Sequence, residues 1–408
     1  MQPDDSPATT ALESRLATLG RVFILALALG VLACLPMLAG GSGGVPGFGG
    51  DFSAFWSAGR LALEGRPLAA FDPDTLLELE RQAAGIGDVL LWHYPPTWHL
   101  AVTPFARLSY PVALVLFLAL SLGLWAAALR RLGGPLPGPV FAAFALAPAV
   151  WITVGQGQNG LLTGALACLA LAGMREGRTG WIALGAGLLV IKPHLGLLLP
   201  VALLASGQVR ETAAAAAVAV AGIAVSLAAF GPEYWRMLAA DGPALGAAMW
   251  SGDLWDQQVT PFAALARAGL APGAALAVHL VLAVGLVALV WRLWRFGGAF
   301  EPRAAALLLA TPLLPPYAFH YDLCTTAAAL LLLYRHIRRT GAGRAELAVL
   351  SALFLAPPFH RPLSEALGIG VMAPLLLLGL WVCWRRAHSA VDPRDVLDGE
   401  TSEVGSTA

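Results

Sequence analysis

The chain has 408 residues, 58% hydrophobic and only 12% charged, with a net charge of zero. Soluble domains carry roughly 25% charged residues, so this sequence has too few charges to cover a water-facing surface. Its neutral balance also lacks the basic footprint of a nucleic-acid binder. Apolar runs of about 15–25 residues recur along it, and about 20 residues suffice for a helix to cross a bilayer. The expected fold class is an all-α polytopic membrane protein.

Residues 1–20 form a short tail carrying Asp4, Asp5, Glu13 and Arg15, and 21–40 the first apolar span. The acidic residues before it and its length favour a retained anchor over a cleaved leader. Residues 41–96 are the first long outer loop. Its Gly40–Gly50 stretch follows no strand, so it reads as a flexible exit rather than a phosphate-cradling loop. Asp51 then opens a helix with Phe52, Phe55, Trp56, Gly59 and Leu63 on one face and Ser53, Ser57, Arg60 and Glu64 on the other. Such a helix is expected to lie on the membrane surface, apolar face down. Asp51 itself is either a helix N-cap or a carboxylate held at the surface as a general base. A second short helix starts at Asp72-Pro73 and stops near Gly85. His93-Tyr94-Pro95-Pro96 marks the return to the bilayer.

The next apolar stretch, 97–129, is too long for one crossing, and Pro104 and Pro111 are expected to divide it into an entry helix and a full span. Spans follow at 138–155, 158–174, 180–191, 194–206 and 212–230. After a second outer loop, 231–262, come 273–296, 303–318, 321–337, 345–359 and 367–386. This makes about twelve crossings (range roughly 10–13) in one membrane domain, 21–387, with a disordered tail from 388 to 408. Basic residues set the orientation. With both termini cytoplasmic, the inner segments hold Arg130/Arg131, Arg175/Arg178, Arg292/Arg295/Arg303, Arg335/Arg338/Arg339 and Arg385/Arg386/Arg394, as the positive-inside rule requires. Acidic residues gather in the outer loops: Asp51, Asp72, Asp74, Glu78, Glu80 and Asp88, then Glu233, Asp241, Asp253 and Asp256. Any chemistry therefore belongs on the outer face.

Lys192 is the chain's only lysine and sits between two apolar runs, beside Pro193 and His194. A charge at mid-membrane costs about 2.5–3.5 kcal/mol even on the mild insertion scale, and such residues are mostly functional. Snorkelling to the outer surface is the structural alternative. An ammonium in a cavity opened by Pro193 would suit a phosphate, and neutralising it would then leave stability near wild type. The amides Gln156, Gln158 and Asn159 crowd one tight outer turn, where they either cap helix ends or hold hydroxyls of a polar ligand. Tyr317, His320, Tyr321 and Asp322 close another outer helix end. His93, His99, His194, His320 and His360 all map outward, but their spacing fits no metal pattern. The four cysteines, Cys34, Cys168, Cys324 and Cys383, lie singly in apolar runs and read as packing residues. Trp250, Asp253, Trp255 and Asp256 make the second outer loop a candidate acceptor surface.

In chain order, Asp51-Phe52-Ser53-Ala54-Phe55-Trp56 with Gly65 and Phe71-Asp72, Tyr94-Pro95-Pro96, Gly155-Gln156 with Asn159, Lys192-Pro193-His194 and His320-Tyr321-Asp322 resemble the motifs of glycosyltransferase family 87. The resemblance spans about residues 20–385. It implies a GT-C-like fold and a donor that is a polyprenyl-phosphate sugar, typically mannose, with a lipid or glycan acceptor. It also implies an acidic base in the first outer loop. On this reading Asp51 is the base, with Asp322 as its alternative or as the residue that orients His320. Lys192, His194 and His320 face the departing phosphate. Gln156, Gln158, Asn159, His93, Tyr94 and Arg60 complete the substrate site. No cofactor is expected, because a single departing phosphate makes a metal ion less necessary. The expected location is the outer face of a bacterial plasma membrane. A transporter or lipid flippase is the alternative, weakened by the lack of an internal repeat. A polysaccharide polymerase or ligase would share the outward chemistry but would need a large basic outer loop.

Overall fold

The computed structural model describes residues 7–40, 48–87 and 90–388. Asp4, Asp5, Asp88, Arg394, most of the glycine-rich exit and the C-terminal tail lie outside the described residues, as does the side chain of Asp241. Among the described residues the secondary structure is helical throughout, with one isolated antiparallel bridge between Gln258 and Phe319.

Four helices are long and apolar enough to cross a bilayer: Thr10–Cys34, Tyr110–Gly133, Val209–Phe230 and Pro272–Phe296. Gly138–Ala145 and Pro148–Gln156, bent by 52° at Pro148, make a fifth if taken as one broken span. Their outer surfaces are apolar and bare, as with Leu25, Leu124, Val220, Val281 and Val284. Contiguous apolar exposure on this scale is a liability in water and the normal state in lipid. The protein is thus a helical membrane protein. The other expected spans are helical near where expected but shorter than these four helices, such as Gly160–Glu176, Phe300–Ala310, Cys324–Thr340 and Arg344–Leu355. Several are packed on nearly every side. Leu307, Leu308, Leu309, Leu331, Leu332 and Leu333 are all buried in the main core.

Proline places the breaks. Pro96–Val102 and a 3₁₀ turn at Thr103–Arg107 precede the Tyr110–Gly133 helix, with Pro104 and Pro111 at the joints. Before Lys192 the chain forms Thr179–Gly187 and a 3₁₀ turn, Leu188–Ile191. After it come a second 3₁₀ turn, Pro193–Leu195, and the helix Leu198–Ala205. Lys192, at φ −148°, is the non-helical joint between the two halves. Pro193 cannot donate a backbone N–H and disfavours a helical residue before it.

The first long loop departs from the expected surface raft. Its helix Gly50–Leu63 buries Phe52 and Phe55, and also Ser53, Ser57 and Ala58 on what would be the polar face. A second, aromatic core encloses it. Phe52 stacks on Phe117 at 4.9 Å, and Phe55 meets Trp98 at 5.0 Å and Tyr94 at 5.1 Å. The helix is therefore wedged among protein elements and held rigidly, a better platform for a functional side chain than a floating surface helix. Pro73–Ala84 forms where expected and ends at Gly85 in the left-handed conformation (φ 68°). The Asp72 carboxylate accepts from the Thr75 hydroxyl.

Candidate active site

The turn Gly155–Asn159 is the meeting point. Gly157 has φ 72°, and a Cβ there would lie 2.8 Å from that of Phe52 and 3.0 Å from the Gly49 Cα. Gly49, at φ 71°, starts the Asp51 helix and donates its N–H to the Gly155 carbonyl at 2.7 Å. Left-handed backbone without a side chain is what lets two turns touch this closely. On the other side, Gly160 abuts the Tyr321 carbonyl, which also accepts from the Thr153 hydroxyl at 2.6 Å. Three segments far apart in sequence, around Asp51, Gln158 and Tyr321, are thereby locked together.

Asp51 is not the helix cap. That position is Gly49, and Asp51 lies in the first turn. Its Oδ2 accepts a hydrogen bond from Gln158 Nε2 at 2.8 Å. The orientation of that amide is determined, because Gln158 Oε1 accepts the backbone N–H of Asn159 at 3.1 Å. Burial pushes the Asp51 carboxyl above the usual range, while the Gln158 amide and the charge of Lys192 pull it part of the way back. The Tyr94 hydroxyl lies 3.2 Å from Gln158 Nε2.

Lys192 does not snorkel. It is 5% exposed. Its Nζ donates to Asp322 Oδ1 at 2.5 Å and to Asn159 Oδ1 at 3.2 Å, and lies 4.9 Å from the centre of the Tyr321 ring. A buried ammonium survives only with such partners. Two of its three donors are thus in use. Asp322 spends its other oxygen on the Phe319 N–H at 3.3 Å, so it does not orient His320, as the sequence had suggested. That ring is set by the Gln257 carbonyl, 3.0 Å from Nδ1, and by Gln156 Nε2, 2.8 Å from its Nε2. A carbonyl only accepts, so Nδ1 carries the proton and Nε2 accepts from the Gln156 amide. His194 packs on Tyr317 with ring centres 4.9 Å apart, beside the Lys192 joint.

Asp51, Tyr94, Gln158, Asn159, Lys192 and Asp322 therefore make one continuous cluster, with Gln156 and His320 adjoining it through the same turn. Arg60 does not join. It pairs with Glu64 at 4.0 Å, over the Trp56 ring and about 13 Å along the helix from Asp51. His93 is half-buried on the extended segment beside Tyr94. In the second long loop Trp250 and Trp255 pack against Phe262, and Asp256 pairs with Arg361 at 2.9 Å, so much of the expected sugar-stacking surface is spent on packing. Among the described residues no three His, Cys, Asp or Glu side chains cluster in a way that could hold a metal ion.

Sequence reasoning gave no individual role to three residues. Tyr321 offers its ring to Lys192. Tyr234 ties the second long loop to the first. Trp92 donates to its hydroxyl at 2.5 Å, and the hydroxyl lies 2.9 Å from His99 Nδ1. His99 Nε2 reaches the Ala58 carbonyl, on the Asp51 helix, at 2.7 Å. The third is Glu80, fully buried, with one oxygen accepting the Leu90 N–H at 3.1 Å and the other without a partner. Leu76 and Glu80, one turn apart, are the buried residues of their helix, and an acid on an apolar stripe was the available signal. Burial pushes the Glu80 carboxyl up to about 7, against the Leu90 N–H and helped by the charge of Asp51. The folded chain thus holds a proton that the unfolded chain releases near pH 4.5. Folding stability should accordingly fall as pH rises from about 4.5 to about 7, and Glu80→Gln should flatten that limb. Thermal unfolding in detergent across this window tests it, and an unchanged slope in the variant would refute it.

The model of glycosyltransferase family 87 matches residues 92–316, more than half of the chain. The matched region holds Tyr94, the Gly155–Asn159 turn and Lys192; Asp51 and His320–Asp322 lie outside it. No curated protein and no solved structure matches the chain. Long apolar helices, a buried polar cluster joining distant turns, and a match over most of the region between them lead to one assignment: the chain belongs to glycosyltransferase family 87 and is a membrane glycosyltransferase.

Proposed function

We propose that the protein transfers a hexose, with mannose the first candidate, from a polyprenyl-phosphate sugar to a lipid or glycan acceptor, with inversion. The reaction is placed on the outer face of a bacterial plasma membrane, in a fold of about twelve crossings with both termini cytoplasmic. The short helices flanking Lys192 would each cross partway or at a tilt. The supporting observation is a carboxyl raised by burial, Asp51, joined through Gln158 and Asn159 to a buried ammonium, Lys192.

In the proposed step the acceptor oxygen attacks the anomeric carbon while the carbon–oxygen bond to phosphate breaks. The bonding pair leaves on the phosphate, and the acceptor proton passes to Asp51. Charge grows on the departing phosphate, where the third N–H of Lys192 and the neighbouring His194 would meet it. The Gln156 amide and the Tyr94 hydroxyl are suited to sugar hydroxyls. Asp322 holds Lys192 in place rather than serving as base. No metal ion is part of this reading. Membership of a transferase family favours transfer over transport or lipid flipping.

The test uses purified protein in micelles with labelled polyprenyl-phosphate mannose and a cell lipid extract. Label should appear in a lipid or glycan product. Transfer from a nucleotide sugar alone would overturn the donor assignment. Sidedness is read separately in intact cells. Cysteine in Asp74→Cys, on an exposed helix of the first loop, should react with an impermeant thiol reagent, and that in Gly343→Cys should not. The reverse pattern would put the Asp51 cluster on the cytoplasmic face.

A further inference from the structure

A polar cavity lies at the other end of the helix bundle from Lys192. Gly160–Glu176 starts beside Asn159, and Met174, near its far end, lines this cavity. Fifteen residues of helix make about 22 Å, comparable to the bilayer's hydrocarbon core. Leu198–Ala205 runs the same way, from the Lys192 joint to Ser206. The cavity measures about 240 Å³, and its polar lining comes from Ser206, Gln208, Trp294, Arg295 and Arg303.

Its buried, unpartnered groups are donors. Trp294 is 5% exposed, and its indole N–H is buried without an acceptor among the described residues; Arg303 Nε is in the same condition. The Arg303 guanidinium lies 5.1 Å from the centre of the Trp294 ring. Ser206 donates its hydroxyl proton to the Ala202 carbonyl at 2.7 Å, leaving only lone pairs for the cavity. Among the described residues neither Arg295 nor Arg303 has an ion-pair partner. Nearby acids are taken elsewhere: Glu176 by Arg131 and Glu301 by Arg339, both at 2.7 Å. A buried donor left unpaired costs about 1–3 kcal/mol, so two in one cavity, beside guanidinium groups that no carboxylate touches, call for an anion; Glu301 offsets the Arg303 charge only from a distance.

We infer that this cavity binds a phosphate group, carried by an anionic lipid headgroup or free in solution. Guanidinium forks match phosphate oxygens in shape and charge, and the indole N–H adds a neutral donor. Met174 and Phe300 give the cavity an apolar wall, and Phe296, next to Arg295, is 74% exposed on the lipid-facing surface. Basic pockets between membrane helices suit such headgroups. The site is independent of the transfer chemistry proposed for the Asp51 cluster.

The test uses the full chain in detergent, titrated separately with phosphatidylglycerol, phosphatidylcholine and inorganic phosphate. Lipid retention in native mass spectrometry and the shift in thermal midpoint are read. Phosphatidylglycerol should be retained and stabilise the wild type more than phosphatidylcholine does. Arg303→Gln should weaken its binding about tenfold or more, and Trp294→Phe, which keeps the ring, by several-fold. Equal stabilisation by inorganic phosphate, lost in the same variants, identifies the free ion as the ligand. If Arg303→Gln fails to fold, the exposed Arg295→Gln and Trp294→Phe decide. Binding of every probe unchanged in those variants would overturn the assignment.

Discussion

Asp51→Asn should lower turnover by about 10² or more while leaving the fold intact. The substitution is isosteric. Its Oδ1 can still accept from Gln158 Nε2, so the junction of the three turns survives. What disappears is the only feature a base needs, a basic lone pair. The geometry removes the competing explanation, since Gly49 and not Asp51 occupies the cap position and no capping bond is lost. The loss should fall on kcat rather than on KM for the lipid donor, because Asp51 is assigned to the acceptor proton and not to the phosphate. Steady-state kinetics on material with an unchanged thermal midpoint would show this. Activity within a few-fold of wild type would remove Asp51 from the mechanism. Asp322, already committed to Lys192, would be a poor replacement.

Lys192→Gln should reduce turnover strongly and, unlike a snorkelling lysine, should also destabilise the protein. From sequence alone, removing a charge from the membrane looks harmless. The structure reverses that expectation because Asp322, whose side chain is fully buried, would be left without its counter-charge. Breaking a buried pair from one side typically costs about 3–5 kcal/mol. The double variant Lys192→Gln/Asp322→Asn separates the two effects, since a neutral pair can hydrogen-bond in the same place. Its thermal midpoint should recover towards wild type while turnover stays low. Lys192→Arg should be impaired as well, since a planar fork does not fit a site built around a compact ammonium. If the double variant recovered activity together with stability, Lys192 would be a structural residue, and its assignment to the departing phosphate would fail.

Much of this was open to reading in one dimension. Composition and apolar run lengths determined a helical membrane protein, because bare Leu and Val faces such as those of Val220 and Val281 are stable only in lipid. Prolines located the joints at residues 102–110 and at Lys192, since a missing N–H acts locally wherever the chain goes. The crowding of polar residues at a few turns, and the short motifs carrying the family resemblance, pointed to most members of the polar cluster. Tertiary structure decided what periodicity could not express. Whether Ser53 and Ser57 face water depends on what covers the Asp51 helix, and the covering elements come from residues 92–117. Whether Lys192 is free depends on a carboxylate 130 positions away. Arg60, close to Asp51 in sequence, points to another partner, while Gln158, 107 positions distant, touches it. Local preference acts over a few residues, whereas partners are chosen by the packing of whole helices. The sequence by itself therefore determined the kind of protein and the polar residues to watch, and only the folded bundle, by closing its glycine turns on one another, decided which of them meet.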